Sequence, residues 1–79
     1  MRIITWNINS LRLRMPTLAK ISDKLAPDVI CLQEIKVEDS LFPAKDIKTL
    51  GYKHVLYRGM KSYNGVAIIS KVPLTGVKK

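Results

Sequence analysis

The sequence predicts an α/β fold with parallel strands, and three observations carry that reading. Arg2-Ile3-Ile4-Thr5-Trp6 is β-branched and apolar, the composition of a strand. Beyond Pro16, Leu18, Ile21 and Leu25 recur at three- and four-residue steps, giving a helix with one apolar stripe. Val29-Ile30-Cys31-Leu32 is then an unbroken apolar run, as in a strand covered on both faces. Strand, helix and strand within roughly 30 residues make a βαβ unit, whose crossover is right-handed.

The boundaries follow from local chemistry. Asn7-Ile8-Asn9-Ser10 is rich in small polar residues and reads as loop. Leu11 to Arg14 suits one helical turn capped by Ser10. Pro16 fits only a first helical turn, so the helix begins near it, with Lys20, Asp23 and Lys24 on its wet face. Pro27 closes that helix. Val37 to Phe42 is an acidic loop, and Pro43 opens a second helix with Ile47 and Leu50 inward and Gly51 as its stop. His54 to Arg58 is a third strand, and residues 59–64 form a turn carrying Lys61 and Tyr63. Gly65 to Ser70 is a fourth strand, apolar on both faces. Trp6 and Cys31 read as core residues.

Residues 1–79 allow one small domain at most, and with no linker or composition shift they show no internal boundary. The chain is 47% hydrophobic and 25% charged, a globular balance without low-complexity tracts or repeats. Fourteen Lys and Arg against six acids give a net charge of +8, which favours a polyanionic partner, either nucleic acid or an anionic membrane surface. No apolar run is long enough to cross a bilayer and no basic-plus-apolar leader opens the chain, so no membrane-spanning role is expected. One cysteine excludes an internal disulfide and any Cys-x-x-Cys metal site, and suits a reducing compartment.

The chemistry centres on Glu34. Parallel strands put their carboxyl ends at one edge, where open α/β sheets bind ligands. Asn7 and Glu34 both emerge there, about 5 Å apart if the strands are neighbours. One carboxylate, with phosphate and water oxygens, is a sufficient set for a hard divalent ion. Asn7 adds a neutral carboxamide able to donate to phosphate or accept from bound water. Lys36 shares parity with Glu34 if the strand continues, so it can meet phosphate or steady the carboxylate.

Three segments in order, Trp6-Asn7-Ile8-Asn9-Ser10-Leu11-Arg12, Pro27-Asp28-Val29-Ile30-Cys31-Leu32-Gln33-Glu34-Ile35-Lys36 and Tyr63-Asn64-Gly65-Val66-Ala67-Ile68-Ile69-Ser70-Lys71, resemble the exonuclease III family. These are abasic-site endonucleases of the endonuclease/exonuclease/phosphatase superfamily. The resemblance implies the N-terminal part of a four-layer α/β/β/α sandwich. It implies hydrolysis of DNA phosphodiesters 5′ to abasic sites, with 3′→5′ exonuclease and 3′-phosphatase activities, dependent on Mg²⁺ with Mn²⁺ as the alternative ion. Glu34 matches the family's metal-binding glutamate, and Asn7 the asparagine beside metal and scissile phosphate. Arg12 falls where the family contacts the DNA backbone and Tyr63 lies in a loop that the family lays against DNA, while Lys36 joins them as a DNA-binding candidate through its parity with Glu34. The partner implied is double-stranded DNA with abasic sites or 3′ ends, and the enzyme a cytoplasmic, nucleoid-associated one, monomeric at full length.

The family's catalytic tyrosine, its Asp-x-Asn pair and its late Ser-Asp-His have no counterpart in these 79 residues. His54, the single histidine, opens a strand and does not match the catalytic one. In-line hydrolysis needs a base or orienter for the attacking water, so the chain by itself is expected to be inactive. Two other readings stay open: a phosphodiesterase of the same superfamily acting on RNA, inositol phosphates or lipids, and a non-catalytic basic nucleic-acid-binding fragment.

Overall fold

A computed structural model describes residues 1–58 and 65–73. The elements are β1 (Ile3–Asn7), α1 (Met15–Leu25), β2 (Val29–Gln33), α2 (Ala44–Thr49), β3 (His54–Arg58) and β4 (Val66–Ser70), with a 3-10 turn at Asp39–Leu41 before α2. The strands form one sheet in the order β1-β2-β4-β3. β1 and β2 run parallel, Ile3 opposite Val29 and Asn7 opposite Gln33, as a βαβ unit requires. β4 lies antiparallel between β2 and β3, so Val66 begins at the edge where β2 ends.

Alternation along the strands decides which face is covered. Ile30, Leu32, Ala67 and Ile69 form a buried cluster with Leu18 of α1 and Ile47 of α2, joined by Trp6, Val55 and Tyr57. Phe42, just before α2, stacks on Tyr57 with ring centroids 3.8 Å apart. Both helices therefore cover the same face. The other face carries Val29 and Ser70, which are buried, and Ile3, Thr5, Cys31, Leu56, Val66 and Ile68, which are not; Ile3 is 59% and Val66 53% exposed. β2, expected to be covered on both faces, is covered on this second face only at Val29, and β4, expected to be apolar on both faces, carries Val66 and Ile68 there. Cys31, read as core, is half-buried on this uncovered face, because its parity opposes that of Ile30 and Leu32.

α1 places Pro16 in its first turn, where the missing N–H costs nothing. Ahead of it, the turn over Leu11 to Arg14 forms as expected, though without the cap from the Ser10 side chain. Instead the Ser10 carbonyl accepts from the Arg14 N–H at 3.2 Å, and Arg14 takes the N-cap position without a side-chain bond. The inward stripe is also narrower than the periodicity suggests: Leu18 is buried, Ile21 half-buried, and Leu25 45% exposed. Below the last turn the space is filled by Tyr52. Its hydroxyl donates to the Pro27 carbonyl at 3.1 Å and accepts from Ser22 Oγ at 3.2 Å, so Ser22 rather than Leu25 meets the core. The helix closes on Ala26 in the left-handed region, its N–H bonded to the Ser22 carbonyl.

α2 starts one residue after Pro43, with Ile47 buried and Leu50 half-buried as expected. Gly51 ends it at φ +105. A Cβ there would meet nothing within 4 Å, so the glycine serves the backbone angle alone.

Candidate functional site

The carboxyl ends of β1 and β2 feed two loops that are bonded to each other along their backbones. Past Asn7, the Ile8 N–H donates to the Gln33 carbonyl at 3.1 Å. The Ser10 and Leu11 N–H groups reach the Glu34 and Ile35 carbonyls, each at 2.9 Å. Ile35 in turn donates to the Gly65 carbonyl at 3.3 Å, which brings the start of β4 to the same edge. Ile8, Leu11, Ile35 and Val37 are buried beneath these loops and anchor them to the core. Alternating apolar and polar residues thus divide the labour, the apolar ones fixing the backbone and the polar ones facing out.

Two side-chain struts complete the link. Asn7 Nδ2 donates to Glu34 Oε2. Lys36 Nζ donates to Asn9 Oδ1 at 2.6 Å. The expected neighbourhood of Asn7 and Glu34 is therefore present, and each of the two groups occupies one atom of the other. Lys36 is placed differently from expectation. β2 ends at Gln33, and Glu34 and Lys36 both sit at φ 51, so strand parity does not carry through. Lys36 meets Asn9 instead of steadying the carboxylate.

Asn9 and Ser10 are also left-handed, at φ 48 and 86. Non-glycine residues visit that region at a cost of roughly 1–2 kcal/mol each. Four of them in two facing loops persist because the loop-to-loop bonds and the buried anchors hold them. Asn9 is the residue that sequence reasoning left out of the site. Its signal was its place, with Ser10, Leu11 and Arg12, in the segment that carries the family resemblance; the contact itself depends on backbone angles that alternation does not foresee.

Arg12 is exposed on the turn between Leu11 and α1, one residue past the last backbone bond to the β2 loop. Tyr63 lies outside the described residues. His54 pairs in register with Ser70, at the opposite edge of the sheet from Glu34, and is not brought to the site. Among the described residues no group of three or more His, Cys, Asp and Glu side chains converges. The acceptor set available to a cation is accordingly small: the second Glu34 oxygen and the Asn7 Oδ1. That is one carboxylate and one neutral oxygen, which suits a hard ion that keeps several waters.

Residues 4–79 match the Endonuclease/Exonuclease/phosphatase family. An exodeoxyribonuclease III from Haemophilus influenzae is 49% identical over 71 residues, which is 90% of this chain and 26% of that protein. A 3′ phosphatase from Neisseria, solved with a product DNA hairpin, superposes with a TM-score of 0.87 at 42% identity, over 95% of this chain and 29% of its own. An AP endonuclease from Archaeoglobus fulgidus gives 0.84 at 42% identity, over 90% and 27%. The chain thus spans roughly a quarter of the length of these relatives. The mixed α/β sheet described above is the matching portion of their fold. By sequence and by structure, the chain belongs to the endonuclease/exonuclease/phosphatase family.

Proposed function

We propose that these residues supply the metal- and phosphate-facing part of an exonuclease III-type DNA repair nuclease. The reaction is hydrolysis of the DNA phosphodiester 5′ to an abasic site, with 3′→5′ exonuclease and 3′-phosphatase activities. The observation that carries the reading is the Asn7–Glu34 pair at the carboxyl ends of two adjacent parallel strands. The names of the similar proteins, all DNA-processing enzymes, favour DNA over inositol phosphates or lipids.

Glu34 and Asn7 would hold a divalent ion, Mg²⁺ or Mn²⁺, with oxygens that their mutual bond leaves over. Such an ion supplies Lewis-acid stabilisation of charge on the leaving 3′ oxygen. Asn7 restrains the Glu34 carboxylate by donating to one oxygen, so the other keeps one direction. Arg12, Lys36 and Tyr63 contact the DNA backbone, and the +8 charge draws the duplex in. The attacking water's base is not among these residues, so the chain alone binds without cutting. The complete enzyme is cytoplasmic and monomeric, and acts on double-stranded DNA.

The test replaces the matching N-terminal segment of the Haemophilus exodeoxyribonuclease III with residues 1–79. The chimera is expected to incise an abasic-site duplex in Mg²⁺, and Glu34→Gln to lower that rate by on the order of 10²-fold. A folded chimera whose incision is unchanged by Glu34→Gln defeats the metal assignment. A folded chimera that cleaves an inositol phosphate and ignores abasic DNA defeats the substrate assignment.

A further inference from the structure

The two asparagines of the β1 loop are turned in opposite senses, and the chemistry of their partners fixes both. A carboxylate can only accept, so Asn7 must offer its NH₂ to Glu34. An ammonium can only donate, so Asn9 must offer its oxygen to Lys36. What remains over is then determined. Asn7 keeps its oxygen and one N–H, Glu34 keeps acceptor oxygens only, and Asn9 keeps two N–H donors and Lys36 two more. The same pair of loops therefore presents an acceptor-rich set and, two residues further along each loop, a donor-rich one.

We propose that Asn9 and Lys36 together form a receptor for a backbone phosphate oxygen, with Asn9 in two roles. Its Oδ1 holds the ammonium in place, and its Nδ2 donates to the phosphate. The inference rests on the nucleic-acid reading above and adds a binding residue to it. Three features support it. Both side chains are exposed and face solvent. Both residues occupy the left-handed region, an arrangement of the backbone that a mere surface tether does not need. The partner of Lys36 is neutral, so the ammonium keeps its full charge for an anion; a carboxylate at position 9 would orient it equally well and cancel it.

The experiment measures binding of the 79-residue chain to a labelled DNA duplex across a salt series without divalent metal. Each phosphate contact contributes about 0.9 to the slope of log affinity against log salt. Lys36→Met is expected to lower the slope by about that amount, and Asn9→Asp to lower it comparably. Asn9→Ala/Lys36→Met should match Lys36→Met alone, because the two residues serve one phosphate. Lys20→Met, on the exposed side of α1, removes the same charge and should leave most of the slope intact. Equal losses from Lys20→Met and Lys36→Met, or fully additive effects of Asn9→Ala and Lys36→Met, overturn the receptor. A wild-type chain that binds no duplex counts against the DNA reading instead. For that case inorganic phosphate is titrated while the Asn9 NH₂ and Lys36 Nζ signals are followed by NMR. Shifts at both, absent in Lys36→Met, support the receptor, and an unmoved pair rejects it.

Discussion

The Asn7 carboxamide donates to Glu34 Oε2 across 27 residues of sequence, joining the exits of two parallel strands. Replacing Asn7 by Asp exchanges that donor for a second carboxylate. Two acceptors then repel each other, while a divalent ion gains a charged ligand. Asn7→Asp should tighten Mn²⁺ binding, read by paramagnetic broadening of the Ile8 and Ile35 amide signals. In the same variant duplex affinity without metal should fall. Unaltered Mn²⁺ broadening would show that the pair does not face the ion.

Leu11 is fully buried beneath the loops that carry Asn9 and Lys36. Leu11→Ala leaves a cavity there and should cost about 2–5 kcal/mol by chemical denaturation. Its effect should reach the Asn9–Lys36 strut, seen as a Lys36 Nζ signal that moves toward that of a free lysine.

The Tyr52 hydroxyl ties Ser22 of α1 to Pro27, two residues ahead of β2. Tyr52→Phe keeps the ring but leaves the Pro27 carbonyl without its donor and Ser22 Oγ without its acceptor. A loss of about 1–3 kcal/mol is expected, with the site's metal binding unchanged. The ring's contact with the Lys71 ammonium, 5.5 Å from its centroid, is retained in this variant.

Gly51 separates backbone strain from packing. No atom lies within 4 Å of a Cβ built at this position, so Gly51→Ala can only strain the angle of +105. A cost of about 1–2 kcal/mol is expected from thermal unfolding. Gly51→Asn, which tolerates positive φ better, should cost less.

Much of this architecture is legible in the residues themselves. Pro16 and Pro27 bracket α1, apolar runs mark β1 and β2, and their parallel pairing brings Asn7 to Glu34 without any knowledge of the fold. Three things escape the sequence for physical reasons. An apolar run such as Val29 to Leu32 does not say whether one face or two are covered. Helical periodicity marks Leu25 as inward, yet the aromatic ring that displaces it lies 27 positions away at Tyr52. The Asn9–Lys36 contact depends on left-handed residues in both loops, where alternation no longer predicts direction.

The uncovered sheet face sets the colloidal behaviour of these residues. Apolar side chains such as Ile3, Val66 and Ile68 favour stacking of one copy on another. A charge of +8 on every copy opposes that approach over a distance of about 10 Å at 0.1 M salt. Added salt shortens that range and leaves the apolar attraction in place, so solutions clear at low ionic strength should associate as it rises. For this chain, the charge that attracts a polyanion also keeps identical copies apart.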